Sequence, residues 1–244
     1  MSKATPIAIS YRPKSHDYLP VVAQAIRRFL GDWPIVLLAE AQHLPPTDWL
    51  QQMRIDVIKG WAHSAGANKT LRLWEHQEIF AAHFEQWIWW HDDMLLLRPV
   101  TAPNLEFSRP LVRREPKPRP NRKLTQWNCA LWDTLSFFEN LSIPAPNPVL
   151  HIPRLVQRDA LRDIPQNWNR QRLLFEPTYL LRYWHETGQH YELDNTFRTS
   201  VFKGELPEIA TLENGDSTIL NWGRKIDHSA ARAAFAQRYS LAFK

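Results

Sequence analysis

Gln86-Trp-Ile-Trp-Trp-His-Asp-Asp-Met-Leu-Leu-Leu97 joins an aromatic run, a three-residue polar step and a second apolar run. The first five residues are the length and composition of a buried strand, and His91-Asp92-Asp93 follows that strand at once. Carboxylates delivered at the C-terminal end of a strand stand where open α/β sheets bind ligands. Two adjacent carboxylates repel each other unless a positive group neutralises them. Mg²⁺ or Mn²⁺ does this well, because both take carboxylate oxygens together with phosphate oxygens from a substrate. The plainer alternative is that Asp92 and Asp93 only shape a turn, a role Asp favours. Trp87, Trp89 and Trp90 stand so close together that some of them are expected to line a pocket.

Upstream of this segment, Pro6-Ile-Ala-Ile-Ser-Tyr11 reads as a first buried strand. Val21, Val22, Ala25, Ile26, Phe29 and Leu30 recur at helical spacing, with Gly31 as the stop signal. Pro34-Ile-Val-Leu-Leu38 is a second strand. Strand, helix and strand in so few residues form a βαβ unit and predict a parallel sheet with helical crossovers. Residues 44–52 read as a turn and short helix. Residues 69–84 read as a helix with Leu73, Phe80 and Phe84 on one face, flanked by Trp74 and Ala81.

Downstream, the apolar run ends at Arg98-Pro99. Residues 101–123 hold five prolines and the cations Arg109, Arg113, Arg114, Lys117, Arg119, Arg122 and Lys123, against Glu106 and Glu115. Prolines at that density exclude a central strand or a helix, so the segment reads as a long, basic, mobile loop. A helix is expected over 124–141 and a proline-rich connection over 142–149. Val149–Pro153 reads as a short strand, with helices over 155–162 and 171–186. The C-terminal part reads as strands near 197–203 and 217–221 and a helix near 229–240.

The chain has 244 residues, 44% of them hydrophobic, and no internal repeats; that suits a single domain over 1–244. A net charge of +5 permits an anionic partner without requiring one. No apolar run of about 18 residues is present, so no membrane span is expected. The first residues, MSKATPIAIS, do not read as a signal peptide. The single cysteine, Cys129, has no partner for an internal disulfide, and a cytoplasmic setting is expected.

Trp87-Ile-Trp-Trp-His-Asp-Asp-Met-Leu-Leu-Leu-Arg-Pro-Val100 resembles the acidic-turn segment of GT-A type glycosyltransferases. It is most similar to the branch that includes Stealth-type sugar-phosphate transferases and phage-encoded relatives, where an Asn-Asp-Asp turn precedes an apolar stretch and a Pro-Val. Ile9-Ser-Tyr11-Arg12 sits where these enzymes begin their nucleotide pocket, and His151-Ile-Pro153 resembles a His-x-Pro element late in that fold. The resemblance covers about the first 155 residues. It implies a GT-A-like (Rossmann-like) α/β fold: a mixed, mostly parallel central sheet flanked by helices. It divides the chain into a nucleotide-sugar and metal half (1–100), the basic loop (101–123) and an acceptor half (124–244).

The resemblance also assigns roles. Asp93 would hold Mn²⁺ or Mg²⁺, and Asp92 would support it or contact the sugar. The commoner family pattern is Asp-x-Asp; here His91 stands at its first position and would replace the usual ribose contact. His151 would be a further metal ligand. Around the nucleotide-sugar donor, Arg12 is placed to reach a phosphate, Tyr11 to stack on or hydrogen-bond the base, and Lys69 to meet phosphate or sugar hydroxyls. An inverting transfer needs a general base, for which Asp133 and Asp194 are both open. Arg113, Arg114, Lys117, Arg119 and Arg122 would bind an anionic acceptor through phosphate contacts, with Trp127 stacking on a base. A hydroxylated base in phage DNA is then one acceptor, which would place the protein in host cytoplasm. A cell-surface glycan taking a sugar phosphate is the competitor, and a non-enzymatic, basic nucleic-acid-binding protein is the remaining alternative.

Overall fold

The computed structural model describes residues 5–13, 17–61, 68–113, 125–193, 200–202, 218–222 and 228–238. Its centre is a five-stranded sheet of β1 (Ile7–Ser10), β2 (Ile35–Ala39), β3 (Ile55–Lys59), β4 (Gln86–Trp90) and β7 (Arg154–Gln157), in the order β3-β2-β1-β4-β7. The first four strands are parallel and β7 runs antiparallel to β4. The crossovers are helical: α1 (Leu19–Leu30) after β1, α2 (Thr47–Gln52) after β2 and α3 (Lys69–His83) after β3. The architecture is therefore the expected mixed, mostly parallel sheet flanked by helices.

Alternation along the strands sorts the core into two layers, because successive side chains of a strand point to opposite faces. Ile7, Ile9, Leu37, Ile88 and Trp90 pack on one face with Val22 and Ile26 of α1. Ala8, Leu38, Trp87 and Trp89 pack on the other with Trp74 and Phe80 of α3. This second layer is closed by α5 (Gln126–Asn140) and α7 (Phe175–Glu186), which supply Leu135, Phe138, Tyr179 and Trp184. Glycine at position 31 ends α1 as expected: it takes φ +62°, open to glycine without strain, and its N–H reaches the Arg27 carbonyl at 3.0 Å. Asn68 caps α3 by accepting from the Thr70 and Leu71 amides.

β5 (Met94–Leu96) leaves the main sheet and joins β10 (Ile219–Trp222) and β9 (Ser200–Phe202) in a three-stranded sheet. The C-terminal helix α8 (His228–Arg238) packs Ala231 and Phe235 into the α1 layer. Among the described residues no helix is long and apolar enough to cross a membrane.

Several expectations need correction. Ile55-Asp-Val-Ile-Lys59 is an edge strand where none was expected; only Ile55 is buried, so its apolar signal is short. Val149–Pro153 is not a strand: His151 bends the chain at φ +51°, and β7 begins only at Arg154. The helix expected over 155–162 is split, because Leu155 and Val156 pair with Ile88 and Trp87; only α6 (Arg158–Arg162) is helical. The segment 101–123 holds a helical turn, α4 (Pro103–Glu106), and β6 (Leu111–Val112), which pairs with β8 (Glu192–Leu193). The buried stripe of α3 runs through Trp74, Gln77, Phe80 and Ala81 rather than through Leu73 and Phe84. Trp87, Trp89 and Trp90 are core residues, at most 3% exposed, packed into the two layers on either side of the sheet.

Candidate functional site

Chain connections leave β1 in one direction, through α1 to β2, while β4 enters on its other side. The C-terminal ends of β1 and β4 therefore form a topological switch point, where such sheets open a crevice. The residues that follow each strand meet there. After β1, Tyr11 is 4% exposed, and its hydroxyl donates to Asp17 Oδ2 at 2.7 Å. The other oxygen of Asp17 accepts the Leu19 amide at 3.1 Å, at the start of α1. Burial pushes the Tyr11 hydroxyl far above its ordinary pKa, and the bond to Asp17 and the charges of Asp17 and Asp92 push the same way. Tyr11 is thus a neutral phenol that feels the acidic turn across the strand ends.

Two indoles shape that turn from below. The Met94 amide donates to the His91 carbonyl at 3.2 Å, closing the turn. The buried indole N–H of Trp90 donates to the Met94 carbonyl at 2.8 Å. The Trp89 ring lies 4.5 Å from the His91 ring, centroid to centroid. His91, Asp92 and Asp93 are all half-buried above this floor. The aromatic run positions the carboxylates by packing and leaves them to the edge of the sheet.

Beside Tyr11, on the β2 side, a cavity of about 680 Å³ is walled by Tyr11, Asp17, His43, Pro45, Trp49 and Gln52. Its far wall comes from the turn after β2 and from α2. His43 Nδ1 lies 2.9 Å from Glu40 Oε2, which steadies that wall. Arg12 is exposed just past Tyr11, and Lys69 is exposed at the first position of α3.

The other expected site residues fall as follows. β7 runs antiparallel to β4 with Arg154 opposite Trp89, so the chain around His151 arrives at the same edge as the acidic turn. His151 itself is exposed. Among the described residues no three His, Cys, Asp or Glu side chains converge to hold a metal ion. The arrangement offers a pair of carboxylates, which suits Mg²⁺ or Mn²⁺ bound through one or two carboxylates, with water and phosphate completing the shell. Asp133 lies 3.4 Å from Arg172, with which it forms an ion pair; Asp194 lies outside the described residues. Arg113 is half-buried, and its amide donates to the Asn147 carbonyl at 2.9 Å. Arg114, Lys117, Arg119, Arg122 and Lys123 lie outside the described residues. Arg109 is not a free loop cation: it pairs with Glu192 at 2.7 Å and Glu106 at 3.5 Å. Trp127 is half-buried against the α3–α5–α7 layer, rather than standing out as an exposed platform.

Reading the sequence missed Asp17, Trp49 and the buried pair Arg154–Glu176. The Arg154 guanidinium is 1% exposed and lies 3.4 Å from Glu176. It also donates to the carbonyls of Arg109, Leu111 and Pro148, and stands over the Trp184 ring. Burial raises the Glu176 carboxyl above its ordinary range, against the pull of Arg154, His151 and Arg113. Nothing in local spacing announces a pair that forms 22 residues apart.

No family model matches the chain, and no curated protein is similar to it. Among solved structures, it is similar to the crystal structure of the glycosyltransferase GlyE in Streptococcus pneumoniae TIGR4, at 11% identity and a TM-score of 0.46. The match covers 98% of this chain and 61% of that one, so the chain spans less than two thirds of that protein's length. A likeness this weak says nothing about what the chain does.

Proposed function

We propose that the chain is a metal-dependent glycosyltransferase that moves a sugar from a nucleotide-sugar donor to an acceptor hydroxyl. One observation carries the reading: Tyr11–Asp17 and the Asp92–Asp93 turn meet at the β1–β4 switch point, beside a cavity of about 680 Å³. Asp93, with Asp92, would hold Mg²⁺ or Mn²⁺, whose charge stabilises a departing diphosphate. The cavity beside Tyr11 would take the nucleoside end of the donor, with Arg12 and Lys69 at its phosphate and sugar end and His91 toward the ribose.

In the transfer, the acceptor oxygen attacks the anomeric carbon and forms the new C–O bond. The bond from that carbon to the diphosphate oxygen breaks, and the nucleoside diphosphate leaves with the electron pair. The hydroxyl proton passes to a base, for which Asp133 and Asp194 are the candidates, or to the leaving diphosphate.

The acceptor is anionic on this reading. Arg113, Arg114, Lys117, Arg119 and Arg122 lie in a basic, proline-spaced stretch of the sequence, which suits phage DNA carrying a hydroxylated base. Thermal stabilisation by a panel of nucleotide sugars with Mn²⁺ tests the donor: a shift that needs both metal and one nucleotide supports the reading, and no shift with any of them refutes it. Duplex DNA affinity measured at several salt concentrations tests the acceptor. The wild type is expected to lose affinity steeply with salt, and a variant with serine at 113, 114, 117 and 119 to flatten the slope by about one unit per lost contact. A flat wild-type dependence would leave a glycan as the acceptor.

A further inference from the structure

The cavity beside Tyr11 has a one-sided charge. Among the described residues its lining includes the carboxylates of Asp17 and Asp48 and neither lysine nor arginine. Such a wall suits the neutral end of a ligand and repels a phosphate. The carboxylates around it are not equivalent. Asp17 is engaged on both oxygens, by the Tyr11 hydroxyl at 2.7 Å and the Leu19 amide at 3.1 Å. Glu40, behind the wall, lies 2.9 Å from His43 Nδ1 and accepts from Gln42 at 2.7 Å. Asp48 differs: it lines the cavity with Gln52, and among the described residues no hydrogen bond or ion pair engages either side chain. The two stand four residues apart on α2, so they project from one face of that helix. Trp49 and Pro45 supply apolar surface beside them.

We infer that this cavity, which on the reading above holds the nucleoside end of the donor, selects guanine, with Asp48 and Gln52 as its specificity-determining residues. An ionised carboxylate only accepts hydrogen bonds, whereas a side-chain amide can donate. Side by side, the two complement an edge that presents two N–H groups and then a carbonyl. Guanine presents that edge through its 2-amino group, N1–H and O6. Uracil presents a single N3–H between two carbonyls, so one carbonyl oxygen meets the second oxygen of Asp48. Adenine sets its unprotonated N1 against the carboxylate. In both mismatches acceptor faces acceptor, and a site built to receive N–H groups rejects the base that lacks them. Trp49 gives the base a surface to stack on. The diphosphate then leads out of the acidic cavity toward Arg12 and the metal proposed at Asp93.

Affinities for guanosine, inosine, uridine and adenosine diphosphates with Mn²⁺ test it in the wild type. Guanosine diphosphate is expected to bind about 10–100-fold tighter than inosine diphosphate, which lacks only the 2-amino group, the scale of one hydrogen bond to a charged partner. The gap to uridine and adenosine diphosphates is expected to be at least as large. In Asp48→Ala, guanosine diphosphate is expected to fall to within about threefold of inosine diphosphate, whose own affinity drops less. A folded variant is confirmed by an unchanged urea midpoint, since Asp48 is exposed on α2. Uridine diphosphate binding as tightly as guanosine diphosphate overturns the guanine assignment and leaves the donor reading standing. So does equal binding of the guanosine and inosine forms, or a preference that survives Asp48→Ala. If no diphosphate binds, the donor reading falls, and guanosine against inosine without metal decides the cavity: a preference for guanosine upholds its selectivity, and binding of neither overturns it.

Discussion

The Asp92–Asp93 turn and Glu176 are carboxylate sites in adjoining layers: Phe175, next to Glu176, packs on Trp89 at 5.3 Å, just below the turn. They are built oppositely. Glu176 is 5% exposed and faces Arg154, which is itself pinned by three backbone carbonyls. The aspartates are half-buried at a strand end, with aromatic packing beneath them and the sheet edge above. A buried ion pair whose arginine also holds three backbone carbonyls ties chain segments together; the aspartates stand half-buried at the end of a strand, at the switch point of the sheet. The difference separates the part of this edge that keeps its shape from the part that the proposed function assigns to a ligand.

Breaking the buried pair tests the first half and has the largest expected effect. Arg154→Met strands Glu176 and three carbonyls, and is expected to destabilise the fold by about 3–5 kcal/mol in urea unfolding. Adding Glu176→Leu should recover much of that loss, because the uncompensated charge is then gone; a double variant as unstable as the single one would contradict this account of the pair.

His76 sharpens the contrast, being as buried as Glu176 at 3% exposed, while among the described residues neither ring nitrogen has a hydrogen-bond partner. Burial, with the charge of Arg72 adding to it, lowers its pKa from 6.5 to about 4. The unfolded chain takes up that proton near pH 6.5 and the folded one only near 4, so between those values the unfolded state binds more protons. Stability from this group therefore falls as the pH drops through the window and levels off below about 4, by up to roughly 3 kcal/mol. His76→Leu should flatten that part of a stability–pH profile; an unchanged profile would show that His76 ionises freely.

Much of this edge could be read from the sequence. β1, α1, β2, α3, β4 and the position of the acidic turn follow from runs of apolar residues at a clear period, because each of these elements is buried on at least one face. β3 was hidden by its place at the sheet edge, where Asp56 and Lys59 face solvent and shorten the apolar signal. β7 was misplaced because prolines at 148 and 153 bracket a stretch that looks extended, while the strand that pairs with β4 carries an arginine whose burial depends on Glu176. Asp17 was invisible for a similar reason: its partners Tyr11, Leu19 and Arg232 are brought together by the fold.

Smaller effects are expected on the open side. Tyr11→Phe removes one hydrogen bond from Asp17 and is expected to lower stability by about 1 kcal/mol, read as a shift in the urea midpoint. A loss of several kcal/mol would make Tyr11–Asp17 a structural pair of the Glu176 kind. Asp93→Ala should change stability by no more than about 0.5 kcal/mol, because among the described residues no buried side chain pairs with Asp93.

That last variant also provides the most direct test of the central claim. Calorimetric titration of wild type and Asp93→Ala with nucleotide, in the presence and absence of Mn²⁺, reads whether the acidic turn holds the metal. The account predicts metal-dependent nucleotide binding in the wild type and its loss in a folded Asp93→Ala protein. Equal, metal-independent binding in both would contradict it.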